Sequence, residues 1–242
     1  MHKAKSNKFF FSLIVGLLII GAWNWGSGDK EGATPKKENK SRLTQIFEAN
    51  TLLPASVDLP VPFTPQAPFA NWDHTHEEAC EEASFYMAHR FYEGDPEGLM
   101  DPEKVEADLL KIIEAETKMF GYFEDTNAAE IEKFLESYYG YEVDILTNPT
   151  IEQIKRILAA GYPVLAPNYG YALYNPYYTS QTEYHMITIR GYNERGFITN
   201  DPGTKRGEGW VYDFNEILNA IRDWKPGDMQ NSPHVVLVMF PN

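Results

Sequence analysis

Cysteine is almost absent from this chain, because Cys80 is the only one among 242 residues. A single cysteine cannot form a disulfide within its own chain, which excludes an intrachain disulfide framework. Cys80 is therefore an inert buried thiol, an intermolecular link or a reactive group. Its surroundings are unusual for a nucleophile, since the stretch EACEEAS places glutamates on both sides of it and nearby negative charge disfavours a thiolate.

Positive charge is also scarce. Lys and Arg number 21 against 35 Asp and Glu, so the formal net charge is −14 at pH 7. A surface this acidic repels phosphate backbones, and we therefore expect no nucleic-acid partner. Hydrophobic residues make up 43% of the chain and aromatic residues 14%, which is enough to build a packed core.

A long hydrophobic run stands near the N-terminus. Residues 1–8 form a basic end, and Phe9–Trp25 follows without a charge. In a helix this run extends ~26 Å, about the hydrocarbon thickness of a bilayer. No small-x-small cleavage site ends the run, and Trp23 and Trp25 suit a membrane interface. We predict a transmembrane anchor that holds the body of the protein outside the cytoplasm. The alternative is a cleaved signal segment and a secreted protein.

The rest of the chain is predicted as a linker and one domain. Residues 26–50 are polar, with Gly and Pro early, and indicate a linker that leads to a short helical piece. Residues 51–242 form the predicted domain. It opens with the proline-punctuated segment Leu53–Trp72, which cannot be a central strand because Pro lacks the N–H donor.

Helical periodicity dominates the first part of this domain and strand patterns the second. Helices are predicted at about Glu77–Tyr92, Asp101–Phe120, Asn127–Gly140, Thr150–Gly161 and Asp213–Asp223. Strands are predicted in YEVDILT, YPVLAP, YHMITIRGY, RGFITND, GWVYDF and HVVLVMF. This order predicts an α+β fold, in which N-terminal helices pack on an antiparallel sheet.

Cys80 lies in the first turn of a helix if that helix begins near Glu77. The unpaired N–H groups and the positive end of the helix dipole stabilise a thiolate there. At about 100° per residue, Glu78 and Glu82 point about 200° away from Cys80, and Glu81 about 100° away. We therefore expect most of these carboxylates on the other side of the helix from Cys80, where they penalise the thiolate little.

A thiolate nucleophile needs a base and a group that orients the base. His185 opens one strand of a hairpin that turns near Asn193–Arg195, so a polar group from Asn200 or Asp201 faces it across the pair. A two- or four-residue loop puts Asn200 on the face of His185, and a three-residue loop puts Asp201 there. The sequence leaves both possibilities open.

Acyl transfer also needs hydrogen-bond donors for the oxyanion. The backbone N–H of Cys80 at the helix start is one candidate. The side-chain amide of Gln66, in the loop upstream, is the candidate for the second.

Five segments together resemble the papain-fold cysteine peptidases of the bacteriocin-processing type, family C thirty-nine, and their stand-alone relatives. The resemblance spans about Val61 to Asn242, and its segments are VPFTPQAPFANW, EACEEASFYMA, GYPVLAP, HMITIRGY and FITNDPGT. No transporter segment follows them, so we expect a stand-alone relative rather than an exporter's leader peptidase.

The resemblance implies a papain-like fold and a role for each candidate residue. Cys80 would be the nucleophile, His185 the base, Asp201 the residue that orients the base, and Gln66 an oxyanion donor. Such an enzyme hydrolyses peptide or amide bonds through a thioester and needs no cofactor. The expected partners are a peptide or protein substrate and, through the N-terminal segment, a membrane.

Two other functions remain open at this stage. EACEEAS replaces the more usual glycine-rich surround of the cysteine, which allows a catalytically inactive papain-like binding module at the membrane surface. A zinc site built from His74, His76 and His185 is the other, although no Glu/His helix motif accompanies them. The tyrosine-rich stretch Asn168–Tyr184 suits a substrate groove, a cap over the site or an ordinary irregular loop.

Overall fold

The computed structural model describes residues 41–49, 51–178, 180 and 182–242. The predicted anchor Phe9–Trp25 and the basic end before it lie outside these residues, as does most of the predicted linker. Among the helices of the described ranges, none is both long and apolar enough to cross a membrane.

The strands of the described residues form one sheet in which all neighbouring strands are antiparallel. They are Val57–Asp58 (β1), Glu142–Thr147 (β2), Val164–Tyr169 (β3), Tyr184–Tyr192 (β4), Phe197–Asn200 (β5), Trp210–Tyr212 (β6) and Val235–Phe240 (β7). Their order across the sheet is β2-β7-β3-β4-β5-β6, and β1 pairs with the end of β4. The predicted α+β class with an antiparallel sheet is confirmed.

The helices predicted to begin at Asp101, Asn127, Thr150 and Asp213 begin one residue later in the structure. The α-helices of the described residues are Arg42–Glu48 (α1), His74–Glu77 (α2), Cys80–Tyr92 (α3), Pro102–Phe120 (α4), Ala128–Tyr138 (α5), Ile151–Ala159 (α6) and Phe214–Ala220 (α7). The side chains of Asp101, Asn127 and Thr150 accept hydrogen bonds from the first turns of α4, α5 and α6. These contacts satisfy N–H groups that have no partner inside the helix.

Helices cover both faces of the sheet. Along β7, Leu237 and Met239 belong to the core cluster that includes residues of α3, α4 and α5, whereas Val236 and Val238 belong to the cluster that includes residues of α1, α6 and α7. Successive side chains of a strand point to opposite faces, so a strand buried on both sides has to be apolar throughout. The run HVVLVMF meets this requirement. Helix α1, within the predicted linker, packs through Leu43 on the second of these faces.

The predicted helix over Glu77–Tyr92 is interrupted. Helix α2 ends at Glu77 and α3 begins at Cys80, which makes Cys80 the first residue of its helix. Every residue from Cys80 to Ala88 is buried. The reason is that α3 packs between strand β4 on one side and helix α4 on the other, so its first turns have no solvent side.

Hydrogen bonds hold α3 in a defined register along β4. Ser84 Oγ donates to the Met186 carbonyl at 3.0 Å, and Thr188 Oγ1 donates to the Ser84 carbonyl at 2.8 Å. One turn earlier, the Met186 N–H donates to Cys80 Sγ at 3.3 Å. Four helix residues and two strand residues both advance about 6–7 Å, so the two elements stay in step. This register places Cys80 beside the strand that carries His185.

Candidate active site

Cys80 is held in a closed environment at the start of α3. Its side chain is 5% exposed. Its sulfur accepts the Met186 N–H, and its thiol donates to Glu81 Oε2 at 2.9 Å. Within the described residues none of its hydrogen bonds reaches His185. As the first residue of its helix, Cys80 also carries a backbone N–H that has no acceptor inside the helix.

The thiol is protonated in this arrangement. Burial raises the pKa of Cys80 well above its ordinary value. An ionised Glu81 beside it would raise this pKa further, whereas the Met186 N–H lowers it. The position of Cys80 at a helix start had predicted a lowered pKa for this thiol instead. Desolvation of the sulfur outweighs the helix terminus here, because a thiolate is costly to bury.

His185 and Asp201 form a hydrogen-bonded pair. His185 Nε2 lies 2.9 Å from Asp201 Oδ1, and both side chains are buried. Asp201 Oδ1 also accepts the Gly203 N–H at 3.0 Å. Its other oxygen, Oδ2, accepts the hydroxyls of Tyr178 and Tyr212, both at 2.6 Å. The carboxylate is therefore saturated with donors.

This environment determines the state of the imidazole. Burial alone would raise the pKa of Asp201, but the charge of His185 and the hydrogen bonds from His185, Tyr178 and Tyr212 lower it on balance. Asp201 is thus an ionised acceptor, so His185 Nε2 has to carry the hydrogen that joins them. In neutral His185 the other nitrogen, Nδ1, then carries the lone pair that can take up a proton.

A β-bulge decides which residue faces His185. The β4–β5 turn is tight, with the Asn193 N–H donating to the Gly196 carbonyl, and by itself this two-residue loop would put Asn200 on the His185 face. The register shifts between Ile189 and Gly191, where β4 contains one extra residue. A shift of one residue exchanges the two faces of a strand, so Asp201 lies on the His185 face instead.

Asn200 has a different set of contacts. Its Nδ2 donates to the carbonyls of Val61 and Pro62, at 3.0 and 3.1 Å, and its Oδ1 accepts the Gly209 N–H. Asn200 therefore holds the segment that leads to Gln66, and it is Asp201 that contacts His185.

Gln66 lies at the site with its amide already engaged. Its Nε2 donates to the carbonyls of His76 and Glu77, at 2.8 and 2.9 Å. Both amide hydrogens are used in this way, so donation to an oxyanion requires one of these bonds to be exchanged. The Gln66 backbone N–H donates to the Pro202 carbonyl, which ties this loop to the turn after Asp201.

A pocket of about 260 Å³ joins these residues. Its walls include Gln66, Trp72, Cys80, Tyr178, Tyr184 and His185. Gly203 also lines it, and a Cβ at this position would lie 3.0 Å from His185 Cε1. The absence of a side chain at Gly203 therefore lets the backbone pack closely against the imidazole.

The expectation that the flanking glutamates penalise the thiolate little is wrong for Glu81, which contacts the Cys80 thiol. Glu81 and Glu82 are 1% and 0% exposed. Burial raises the pKa of both carboxyls well above their ordinary value, and each is also affected by a neighbouring carboxylate, Glu82 for the first and Glu116 for the second. The angles about one helix axis do not apply to Glu78, which lies in the break between α2 and α3, and helix α4 packs against the side of α3 that carries Glu82.

The three histidines that were considered as zinc ligands each contact different residues. His74 pairs with Glu124, His76 with Asp73 and Glu106, and His185 with Asp201. No group of three or more potential metal ligands occurs among the described residues.

Sequence reasoning missed the tyrosines that bind Asp201. Tyr178 lies in the tyrosine-rich stretch and Tyr212 on β6, and each donates to the same carboxylate oxygen. The abundance of tyrosines was visible in the sequence. The path of the loop decides which of these tyrosines contact Asp201. Glu81 was missed as a contact of Cys80 because its burial depends on other elements.

The described residues form helices packed on an antiparallel sheet, with Cys80 at the start of α3, His185 on β4 and Asp201 directly after β5, an arrangement that suits a cysteine peptidase. A family model described as the Peptidase_C39 like family matches residues 59–230. The match covers most of the chain, so the chain belongs to this family. It is a cysteine peptidase, and its substrates are peptides or proteins.

Two solved structures are also similar to this chain. A crystal structure of a C39-like peptidase from Bacillus anthracis matches with a TM-score of 0.48 and 16% identity, over 77% of this chain and 98% of its own. Xylellain, a cysteine protease from Xylella fastidiosa, matches with a TM-score of 0.45 and 15% identity, over 86% and 90%. No curated protein matches the chain. The family assignment rests on the family model.

Proposed function

We propose that this peptidase cleaves amide bonds through a Cys80–His185–Asp201 triad and a covalent thioester, outside the cytoplasm. The observation that carries the proposal is the 2.9 Å bond from His185 Nε2 to Asp201 Oδ1. This bond leaves Nδ1 as the basic nitrogen of an imidazole that lines the same pocket as Cys80.

The proposed reaction begins with transfer of the thiol proton from Cys80 Sγ to His185 Nδ1. The thiolate attacks the carbonyl carbon of the substrate, and the amine leaves with the proton from His185, which produces the thioester. Water then attacks the thioester, His185 takes its proton, and the acid departs as the thiol is restored. Asp201 accepts the Nε2 hydrogen throughout and stabilises the imidazolium.

The oxyanion would be bound at the start of α3. The Cys80 N–H is one donor, and the Gln66 amide is the second once one of its bonds to the His76 and Glu77 carbonyls is exchanged. Gln66 is buried and lines the same pocket as Cys80.

We expect a cysteine-directed electrophile to label Cys80 at neutral pH faster than it labels a free thiol, and His185→Ala to slow this labelling about 10- to 100-fold. The reason is that His185 removes the thiol proton against the effect of burial. The measurement is the rate of mass increase of the intact protein, followed by detection of an acyl adduct on Cys80 across a peptide library.

The exposed histidine His74 provides the matched control. It contacts Glu124 at the surface, and His74→Ala should change the labelling rate less than about twofold. Labelling of the wild type no faster than that of a free thiol, with no adduct from any peptide, would count against the triad. It would favour the second candidate, a catalytically inactive papain-like module, for which the raised pKa of Cys80 is the supporting observation.

We also propose that residues 9–25 anchor the enzyme in a membrane with the peptidase domain on the outer side. On intact cells, an externally added protease should degrade the domain, and deletion of residues 9–25 should release the protein from the membrane fraction. A cytoplasmic marker protein serves as the control for cell integrity. A domain that survives until the cells are lysed would place it in the cytoplasm instead.

A further inference from the structure

The Glu81 carboxyl group is the hydrogen-bond partner of the Cys80 thiol in this structure. Glu81 Oε2 lies 2.9 Å from Cys80 Sγ, and Glu81 Oε1 accepts the Thr126 N–H, also at 2.9 Å. The side chain is 1% exposed. The mechanism proposed above gives this carboxyl group no role, although it touches the reacting sulfur.

The contact with Thr126 determines where a proton on Glu81 would be. A backbone N–H can only donate, so Glu81 Oε1 has to be an acceptor and takes the part of the carbonyl oxygen. A proton on the neutral acid would therefore be on Oε2, the oxygen that faces Cys80 Sγ.

The surroundings favour this neutral form. The titratable groups that face Glu81 are Cys80 and Glu82 on α3, Glu116 on α4, Asp125 before α5 and Tyr184 on β4. None of them is a cation. Burial raises the pKa of Glu81 well above its ordinary value, and Glu82 adds to this effect.

We propose that Glu81 is a further catalytic residue, a neutral carboxylic acid whose Oε2–H donates a hydrogen bond to the Cys80 thiolate. This inference rests on the proposed role of Cys80 as the nucleophile. In the resting state the thiol donates to Oε2, as the structure shows. When the thiol proton moves to His185 Nδ1, the Glu81 hydroxyl turns to the sulfur and keeps its own proton. The thiolate thus has a donor beside it rather than a second negative charge.

The test compares Glu81→Gln with Glu81→Met. In Glu81→Gln the amide oxygen can accept the Thr126 N–H, which directs Nε2 and its hydrogens toward Cys80 Sγ and preserves the donor. Glu81→Met fills similar space without a donor. Labelling of Cys80 at neutral pH should stay within about threefold of wild type in Glu81→Gln and fall about 10- to 100-fold in Glu81→Met.

The pH profile separates a chemical role from a structural one. The ratio of the wild-type labelling rate to the Glu81→Gln labelling rate should fall as pH rises. The reason is that ionisation of Glu81 removes the hydrogen-bond donor and places a second negative charge beside the thiolate. A ratio that does not vary with pH would overturn the proposal. If Glu81→Met does not fold, as judged by a missing thermal unfolding transition, the wild type and Glu81→Gln profiles decide alone.

Three other results would also overturn it. Faster labelling in both variants would mean that Glu81 is charged and represses the thiolate. Equal loss in both would mean that Glu81 acts as a base. No change in either would mean that the contact is without effect. Cys80→Ala, assayed for peptide hydrolysis, tests the proposed nucleophile separately, because labelling rates report on Glu81 even if no peptide is cleaved.

Discussion

Replacing Asp201 by Asn is expected to lower kcat/KM for peptide hydrolysis by about 10³–10⁴-fold. Asp201 Oδ1 accepts the hydrogen on His185 Nε2, and this bond leaves Nδ1 free to take the thiol proton. An amide in its place has one acceptor instead of two and carries no charge, so the imidazole loses both its fixed tautomer and the stabilisation of its protonated form. The measurement is kcat/KM for a peptide that the wild type cleaves.

Two control variants keep this prediction specific. Tyr212→Phe removes a donor from Asp201 Oδ2 but leaves the Oδ1 contact with His185, and should cost less than about 10-fold in kcat/KM. Asn200→Ala removes contacts to the Val61 and Pro62 carbonyls and tests the alternative orienting residue. Thermal unfolding shows whether each variant is folded. A large loss in Asn200→Ala, with near-normal activity in Asp201→Asn, would assign the orienting role to Asn200.

The contribution of Glu116 to the stability of the folded protein is expected to fall by about 4 kcal/mol as pH rises from about 4.5 to about 8. Glu82 on α3 and Glu116 on α4 are neighbours, and both are completely buried. The two carboxyl groups interact with each other, and this contact raises the pKa of Glu82 and lowers that of Glu116. Burial raises the pKa of Glu116 from 4.5 to about 8.

The direction of this change in stability follows from the number of protons that the folded and unfolded states bind. Between pH 4.5 and about 8 the folded protein keeps a proton on Glu116 that the unfolded chain has lost, so rising pH favours unfolding. The stabilising contribution is complete below pH 4.5 and is lost once Glu116 ionises in the folded state. Urea unfolding at a series of pH values measures this slope.

Glu116→Gln should remove much of this pH dependence, because an amide has no proton to lose in this range. Glu114→Gln, on the exposed side of the same helix, is the matched control and should keep the wild-type slope. An unchanged slope in Glu116→Gln would show that another group causes the effect, and a stability that increases with pH would contradict the assigned direction.

Local sequence signals were sufficient for much of the fold. Asp101, Asn127 and Thr150 cap the helices that they were predicted to start. These predictions succeed because capping and strand alternation depend on residues a few positions apart. The break between α2 and α3 was missed, since no Gly or Pro marks Glu78–Ala79.

The sequence by itself determined the class of enzyme. A sole cysteine, a strand-start histidine and an Asn-Asp pair occur in the order typical of one peptidase family, and the family model confirms that membership. The catalytic roles of Cys80, His185, Asp201 and Gln66 stay predictions.

Only the tertiary structure decided the contacts of the site. The bulge between Ile189 and Gly191 selects Asp201 over Asn200, and the Thr126 N–H holds the buried Glu81 carboxyl group against the thiol. Periodicity states which residues share a side of an element. The elements that pack against a helix decide which of its sides meets solvent, and the neighbouring strands decide whether a strand contains an extra residue. These neighbours are far away in the chain, so local patterns do not reveal them.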